Sequence, residues 1–151
     1  MKVRDIMERN VVTISEHATY EDAAHLLFTK KISGVLVVDD QKTVVGILSE
    51  KDLFRVLYPF YSSFYEHPES YTDEEQREHK VDEIKNHPIH SFMKRDIHRI
   101  DPNAPILKAG ALMLAKHISR LPVFENGVLV GIVTRSHIYK SVLKQNFSWD
   151  T

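Results

Sequence analysis

Two short stretches of the sequence place a hydroxyl residue three positions before a side chain that accepts hydrogen bonds. GILSEKDL pairs Ser49 with Asp52, and GIVTRSHI pairs Thr134 with His137. A Ser or Thr followed by an acid at this spacing is typical of a capping box at the start of a helix. An ionised carboxylate is also an acceptor-only group, and it can hold two hydroxyl donors of a ligand. The spacing alone leaves both interpretations of Asp52 open.

The two stretches belong to an internal repeat. When the chain is shifted by 86 residues, Ile14 falls on Ile100, VRDIM falls on IHSFM, and KKIS falls on KHIS. The offset then drops to 85, where Gly46 falls on Gly131, so one residue is lost in a turn. The register holds over about 55 residues, and two such units can bury a shared face against each other.

Each copy of the repeat predicts the element order β-α-β-β-α after a short helical turn. In the first copy we expect a strand at Val11–Ile14, followed by an amphipathic helix from about Tyr20 to Lys31. Thr19 and Asp22 suit the N-terminus of that helix. Two β-rich runs then precede a closing helix, which starts after Ser49.

The second copy repeats this pattern with its own turn chemistry. A strand is expected at Ile97–Ile100, and a helix from Pro105 to His117, where proline is tolerated at a helix start. Asn126-Gly127 is a two-residue hairpin signal between the β-rich runs. The closing helix starts after Thr134.

Residues 58–88 connect the copies and hold six of the chain's fourteen aromatic residues. The six are Tyr58, Phe60, Tyr61, Phe64, Tyr65 and Tyr71. Thr72 is expected to cap a helix with acids in its first turn. The connector is either a segment docked on the surface or a lid or partner-contact element.

Composition and charge argue against several classes of protein. The chain has 151 residues, of which 42% are hydrophobic and 27% charged, as in globular proteins. The net charge of −1 provides no polybasic field for nucleic acid or an anionic membrane. The absence of cysteine removes disulfides and thiol nucleophiles. No apolar run approaches the ~20 residues of a membrane helix and the N-terminus is no signal peptide, so we expect a cytoplasmic location.

Catalytic and metal-binding motifs are missing from the sequence. The nine histidines are not accompanied by HExxH or by a tight cluster of carboxylates and histidines. GxGxxG, GxxxxGK[ST] and GxSxG are also absent. We therefore expect no metal site and no catalytic residue.

Six motifs, in this order and doubled, resemble a tandem pair of CBS domains, also called a Bateman module. They are VRDIM, ISGVLVVD and GILSEKDL, then IHSFM, ISRLPVFE and GIVTRSHI. The resemblance implies an α+β fold of two β-α-β-β-α CBS motifs related by a pseudo-twofold axis, with a helical and aromatic connector. The implied divisions are motif 1 at 1–57, the connector at 58–88, motif 2 at 89–145 and a C-terminal tail at 146–151.

The same resemblance implies a regulatory binding module rather than an enzyme. Its ligand would be an adenosine nucleotide (AMP, ADP or ATP), with no obligatory cofactor. A homodimer formed through the helices and an unknown effector protein are the implied partners. The alternatives are a nucleotide-independent dimerisation or scaffold module and an S-adenosylmethionine sensor.

In similar proteins two ligand clefts lie between the copies, and the first would use Asp52 to bind ribose. Arg120 would reach phosphate, and Ile118 and Pro122 would either contact adenine or pack in the core. The residues carried over to this cleft are Ile47, Ser49, Lys51, Asp52, Met93, Lys94, Ile97, Ile118, Ser119, Arg120, Leu121 and Pro122.

The second cleft departs from the family pattern twice. His137 replaces the acid, and Gly34 stands where the other copy has Arg120. A neutral imidazole has one acceptor nitrogen and clamps a diol poorly. We therefore expect a weak or empty second site. Its residues would be Ile6, Met7, Val11, Ile32, Ser33, Gly34, Val35, Ile132, Thr134, Ser136 and His137.

Overall fold

The computed structural model describes residues 1–58 and 78–149, which form an α+β fold, as predicted. In chain order the helices are α1 (Val3–Ile6), α2 (Tyr20–Lys30), α3 (Glu50–Arg55), α4 (Lys80–Ile84), α5 (Ile106–Lys116) and α6 (Arg135–Asn146). The strands are β1 (Thr13–Ser15), β2 (Gly34–Val38), β3 (Val44–Ser49), β4 (Arg120–Glu125) and β5 (Val128–Thr134). A 3₁₀ turn spans Ile89–Ser91.

The chain divides into two compact units, which we name by the third residue of their closing helix. The Asp52 unit is Val12–Ile97, and the His137 unit is Met1–Val11 with His98–Thr151. We call the residues before the first strand of each copy its lead-in segment: Met1–Val11 in the first copy, and the residues from the 3₁₀ turn to Ile97 in the second. Each lead-in segment belongs to the unit that holds the other copy's closing helix.

The Asp52 unit is built on a three-stranded sheet in the order β1-β2-β3. β1 runs parallel to β2, and β2 and β3 form an antiparallel hairpin. β2 is buried along its whole length, whereas β3 alternates buried and half-buried positions, which predicts one covered face. The core residues of this unit are Tyr20, Ala23, Leu27, Val35, Val37, Leu48, Leu53, Ile84, Ile89 and Met93.

The His137 unit holds the two-stranded hairpin β4-β5. Asn126 and Gly127 both have positive φ, 53° and 78°, which confirms the predicted two-residue turn. The corresponding turn of the first copy has three residues between Asp39 and Thr43, with Lys42 at φ 66°. The turn of the second copy is therefore one residue shorter, which explains why the offset between the copies drops from 86 to 85. The core residues of this unit are Val3, Met7, Ile100, Ala104, Ile106, Ala109, Met113, Leu121, Val123, Val133 and Ile138.

The predicted strand at Ile97–Ile100 is wrong, because only Ile100 pairs, in a single parallel bridge to Val123. The reason lies in β4. Pro122 occupies the repeat position of Leu36, which pairs with Thr13 in the first copy. Proline has no N–H, so a parallel ladder cannot continue past it. In the first copy the strand is β1, shifted by one to two residues from the predicted Val11–Ile14.

The helix predictions for α2 and α5 are confirmed to within one residue at each end. Of the connector helix, the described residues show α4, with Ile84 buried and Val81 partly buried. The predicted cap Thr72 and the aromatic residues from Phe60 to Tyr71 lie outside the described ranges. Across residues 1–58 and 78–149, no helix has the length and apolar character needed to cross a membrane.

Candidate functional site

The start of α3 is fixed by a reciprocal capping box between Ser49 and Asp52. The Asp52 amide donates to Ser49 Oγ at 3.3 Å. In return, Asp52 Oδ2 accepts from the Ser49 amide at 2.9 Å and from the Ser49 hydroxyl at 3.0 Å. The predicted capping box is therefore present. It uses one carboxylate oxygen and leaves the ligand interpretation of the other oxygen open.

Among the described residues, no group donates a hydrogen bond to the second oxygen of Asp52, Oδ1. The guanidinium of Arg55 lies near it, but its Nη1 is 4.0 Å away, too far for a hydrogen bond. The Asp52 side chain is only 3% exposed, whereas that of Arg55 is 45% exposed. A nearly buried carboxylate with one uncommitted oxygen can bind paired hydroxyl donors once they reach it.

The lead-in segment of the second copy lies directly against β3. The Ile47 amide donates to Lys94 O, and the Lys94 amide donates to Ile47 O, both at 2.9 Å. Gly46 allows this approach, since a Cβ built there would lie 2.5 Å from Met93 Sδ and 3.0 Å from Lys94 O. The structure thus places Met93 and Lys94 beside Gly46 and Ile47, on the strand that ends at Ser49.

Sequence reasoning singled out Lys51 but missed its neighbours Phe54 and Arg55 on the exposed side of α3. Lys51, Phe54, Arg55 and Tyr58 line an open pocket of about 340 Å³, and the rings of Phe54 and Tyr58 meet edge to face at 5.1 Å. The signal was available, because these residues follow the i, i+3, i+4, i+7 spacing of one helix face. Lys51, predicted as a ligand residue, therefore points to this pocket.

The remaining residues predicted for the Asp52 cleft lie at the start of β4, in the His137 unit, apart from Ile97. Arg120 is only 8% exposed. Leu121 and Pro122 are fully buried, and Ile118 packs against the core of the unit. The core interpretation of Ile118 and Pro122 therefore has direct support. Ser119 O accepts from the Arg135 amide at 2.9 Å, which ties β4 to the start of α6.

His137 takes the place of a carboxylate in the capping box of α6. The His137 amide donates to Thr134 Oγ1 at 3.1 Å, and the Thr134 amide donates to His137 Nδ1 at 3.2 Å. Nδ1 must therefore be unprotonated, and Nε2 carries the hydrogen. Burial lowers the pKa of His137 below 6.5; the nearby carboxylate of Glu8 opposes this shift, and Lys140 adds to it. The single acceptor nitrogen of the imidazole is already used.

The lead-in segment of the first copy packs against β5 in the same way. Glu8 and Ile132 exchange two backbone hydrogen bonds, of 2.8 and 2.9 Å. A Cβ built at Gly131 would lie 2.8 Å from Met7 Sδ. Of the residues predicted for the second cleft, six share the His137 unit with His137: Ile6, Met7, Val11, Ile132, Thr134 and Ser136. The others, Ile32, Ser33, Gly34 and Val35, belong to the Asp52 unit.

Comparison with known proteins supplies a family for this arrangement. The sequence profile of the CBS domain matches the chain twice, over residues 3–59 and 89–144. An uncharacterized protein of Methanocaldococcus jannaschii is 29% identical over 138 residues, or 91% of this chain. This chain spans 41% of the length of that relative.

Solved structures share the fold over nearly the whole chain. CBSX2, in complex with AMP, is 25% identical with a TM-score of 0.72, covering 97% of this chain and 98% of its own. The CBS-domain containing protein ATU1752 from Agrobacterium tumefaciens is 23% identical with a TM-score of 0.75, covering 94% and 99%.

Proposed function

Because the chain belongs to the CBS domain family, we propose that it is a regulatory module that binds an adenosine nucleotide through Asp52. The observation that carries the proposal is the divided use of the Asp52 carboxylate. Oδ2 is engaged by the capping box, and Oδ1 is left to accept from the two ribose hydroxyls. The AMP complex of CBSX2, a protein of similar fold and length, supports this ligand class.

Positive charge near Asp52 favours a phosphorylated ligand over a sulfonium ligand. Lys51 and Arg55 flank Asp52 on α3, and Lys94 is exposed beside Ile47. We therefore place AMP, ADP and ATP ahead of S-adenosylmethionine.

The low exposure of Asp52 gives the proposed regulation a physical basis. Because the Asp52 side chain is 3% exposed, the side chains that shield it from solvent must move before a ribose reaches Oδ1. Binding then favours the conformation in which Oδ1 is accessible. A ligand shifts such an equilibrium only by its difference in affinity between the two arrangements, so the nucleotide itself would drive the change that an effector protein detects.

The test is isothermal titration of the purified chain with AMP, ADP, ATP and S-adenosylmethionine, for the wild type and for Asp52→Ala. Losing two hydrogen bonds to a charged group should weaken binding by about 100-fold or more. Asp22→Ala is the matched control, because Asp22 closes an equivalent capping box with Thr19 on α2, with no part in the proposed site. Both variants should lose about 1 kcal/mol of stability.

The two variants separate a capping role from a ligand role. Equal nucleotide affinity in wild type and Asp52→Ala would overturn the assignment of Asp52. Weakened binding in Asp22→Ala as well as in Asp52→Ala would mean that general destabilisation, not ribose contact, explains the loss. Tight binding of S-adenosylmethionine alone would favour the alternative sensor. Conversion of ATP to products during the incubation would indicate an enzyme instead.

Exposed apolar residues on the helices favour a homodimer. Phe28 on α2 and Leu114 on α5 occupy equivalent repeat positions and are 82% and 68% exposed. Leu107, one heptad before Leu114, is also 68% exposed. Apolar side chains on one helix face are typical of a protein–protein contact. Leu114→Glu should lower the mass measured by light scattering, and a monomeric wild type would contradict the dimer.

These exposed helices also favour a second candidate function, a nucleotide-independent dimerisation module. The two functions differ in their response to ligand. A specific nucleotide raises the melting temperature by mass action, whereas a scaffold with unused clefts melts at the same temperature with or without AMP, ADP or ATP. Native mass spectrometry of the chain as purified reports any carried nucleotide and the oligomer together.

A further inference from the structure

The two closing helices begin with the same box built from different acceptors. At α3 the returning group is the Asp52 carboxylate, and at α6 it is the Nδ1 atom of His137. A carboxyl group keeps an acceptor oxygen whether or not it is protonated. An imidazole loses its acceptor when it protonates, since both nitrogens of His⁺ are donors.

We propose that the cap of α6 is a pH-sensitive switch, in which protonation of His137 releases the Thr134 amide and loosens the first turn of the helix. Two effects act in the same direction. The Thr134 N–H, 3.2 Å from Nδ1, loses its acceptor and faces another N–H. The imidazolium also places positive charge at the helix end where the peptide dipoles disfavour it.

The charged groups around His137 bear on this switch. Among the described residues, Glu8 acts from the segment after α1 and favours the charged imidazole, and Lys140 acts from the next turn of α6 and opposes it. β5 carries no charged side chain between Val128 and Thr134. The charged residues of the other two packed helices are Arg4 and Asp5 on α1 and Lys108 and Lys116 on α5, and none of these four contributes to the pKa shift.

The direction of the effect follows from the lowered pKa. The folded chain holds its imidazole neutral more tightly than the unfolded chain, in which the pKa is about 6.5. The stabilisation is therefore complete above pH 6.5 and is lost as the pH falls through the lower folded pKa. The Ser49–Asp52 box is an internal control, since it has a carboxylate in place of the imidazole.

Nitrogen NMR of the histidine side chains tests the arrangement in the wild-type chain. At pH 7.5, Nδ1 of His137 should be the unprotonated nitrogen and Nε2 the protonated one. Amide exchange then tests the consequence. Between pH 7.5 and pH 5, protection of the Thr134 amide should fall about fivefold relative to the Ser49 amide, the effect expected for one lost hydrogen bond.

Two variants sharpen the test. His137→Asp restores a carboxylate, so the relative protection of Thr134 should stay constant over the same pH range. His137→Ala should give low protection at every pH. A proton on Nδ1 at pH 7.5, or a Thr134 protection that does not change while His137 titrates, would overturn the proposal; both readouts need only the wild-type protein.

Discussion

The substitution Gly46→Ala tests the contact that holds the lead-in segment of the second copy against β3. The new Cβ would lie 2.5 Å from Met93 Sδ and 3.0 Å from both Met93 Cγ and Lys94 O. Real Cβ atoms do not approach other atoms at 2.5 Å. The sulfur can swing aside, but Lys94 O is backbone, so the segment itself must move away from β3.

The expected cost follows from what that movement breaks. The segment is joined to β3 by two Ile47–Lys94 backbone hydrogen bonds of 2.9 Å, which contribute about 1 kcal/mol each. Overpacking around Met93, which is buried, adds about 1–3 kcal/mol. The lower entropy of an unfolded alanine offsets about 0.4–1 kcal/mol. Gly46→Ala should therefore lower the free energy of unfolding by about 2–4 kcal/mol.

Urea unfolding measures this loss, and Gly110→Ala is the matched control. Among the described residues, a Cβ at Gly110 would meet Ile138 alone, at 3.8 and 3.9 Å, which are ordinary contacts. Because Gly110 lies inside α5, its replacement should raise stability by about 0.5–1 kcal/mol. Opposite signs for the two variants would match the structure.

Local exchange shows whether the loss arises at the predicted place. The Ile47 and Lys94 amides should lose protection in Gly46→Ala, and nucleotide affinity should fall with them if Met93 and Lys94 belong to the site. Adding Met93→Ala removes the nearest atom and should recover part of the loss caused by Gly46→Ala. A Gly46→Ala protein as stable as wild type, with Ile47 and Lys94 still protected, would show that the close approach at Gly46 does not hold the segment against β3.

Three further predictions concern Tyr20 in the Asp52 unit and Glu8 in the His137 unit. Tyr20→Phe removes a buried hydrogen bond of 2.9 Å from the phenol to Leu53 O and should cost about 1–2 kcal/mol in urea unfolding; an unchanged midpoint would contradict this. Burial raises the pKa of Tyr20 above 10, so the stability linked to the neutral phenol is complete below pH 10 and is lost above it, which spectrophotometric titration can follow. Glu8→Gln removes the attraction that favours the charged imidazole, so NMR titration should give His137 a still lower pKa; a raised pKa would show that Glu8 acts otherwise.

Local signals in the sequence were sufficient to predict the starts of three helices and one turn. The boxes that begin at Thr19, Ser49 and Thr134 each depend on residues three positions apart, and all three are present. Asn126-Gly127 determines its own turn for the same reason. The missing strand before Ile100 depended instead on a proline more than twenty residues later, which no local pattern at Ile97–Ile100 reveals.

The internal repeat predicted those parts of the site that occupy equivalent positions in the two copies. The repeat aligned Asp52 with His137, but it did not reveal that Met93 presses on Gly46 across 47 positions of sequence. Nor did it reveal the pocket beside Arg55, because Lys51, Phe54 and Tyr58 read equally well as an exposed helix face. Contacts between distant segments depend on tertiary packing, which cannot be deduced from the local pattern of a single sequence.

The comparison of Asp52 with His137 leads to a last prediction. A carboxylate can cap a helix with one oxygen and bind a diol with the other. A neutral imidazole has one acceptor nitrogen, and that of His137 already accepts from the Thr134 amide. His137→Asp should therefore restore a spare acceptor, and isothermal titration should detect a second, weaker nucleotide site. It should stay weaker than the first, because Gly34 stands where the other copy has Arg120. A stoichiometry that remains at one in His137→Asp would show that the missing acceptor was not what kept the second site from binding.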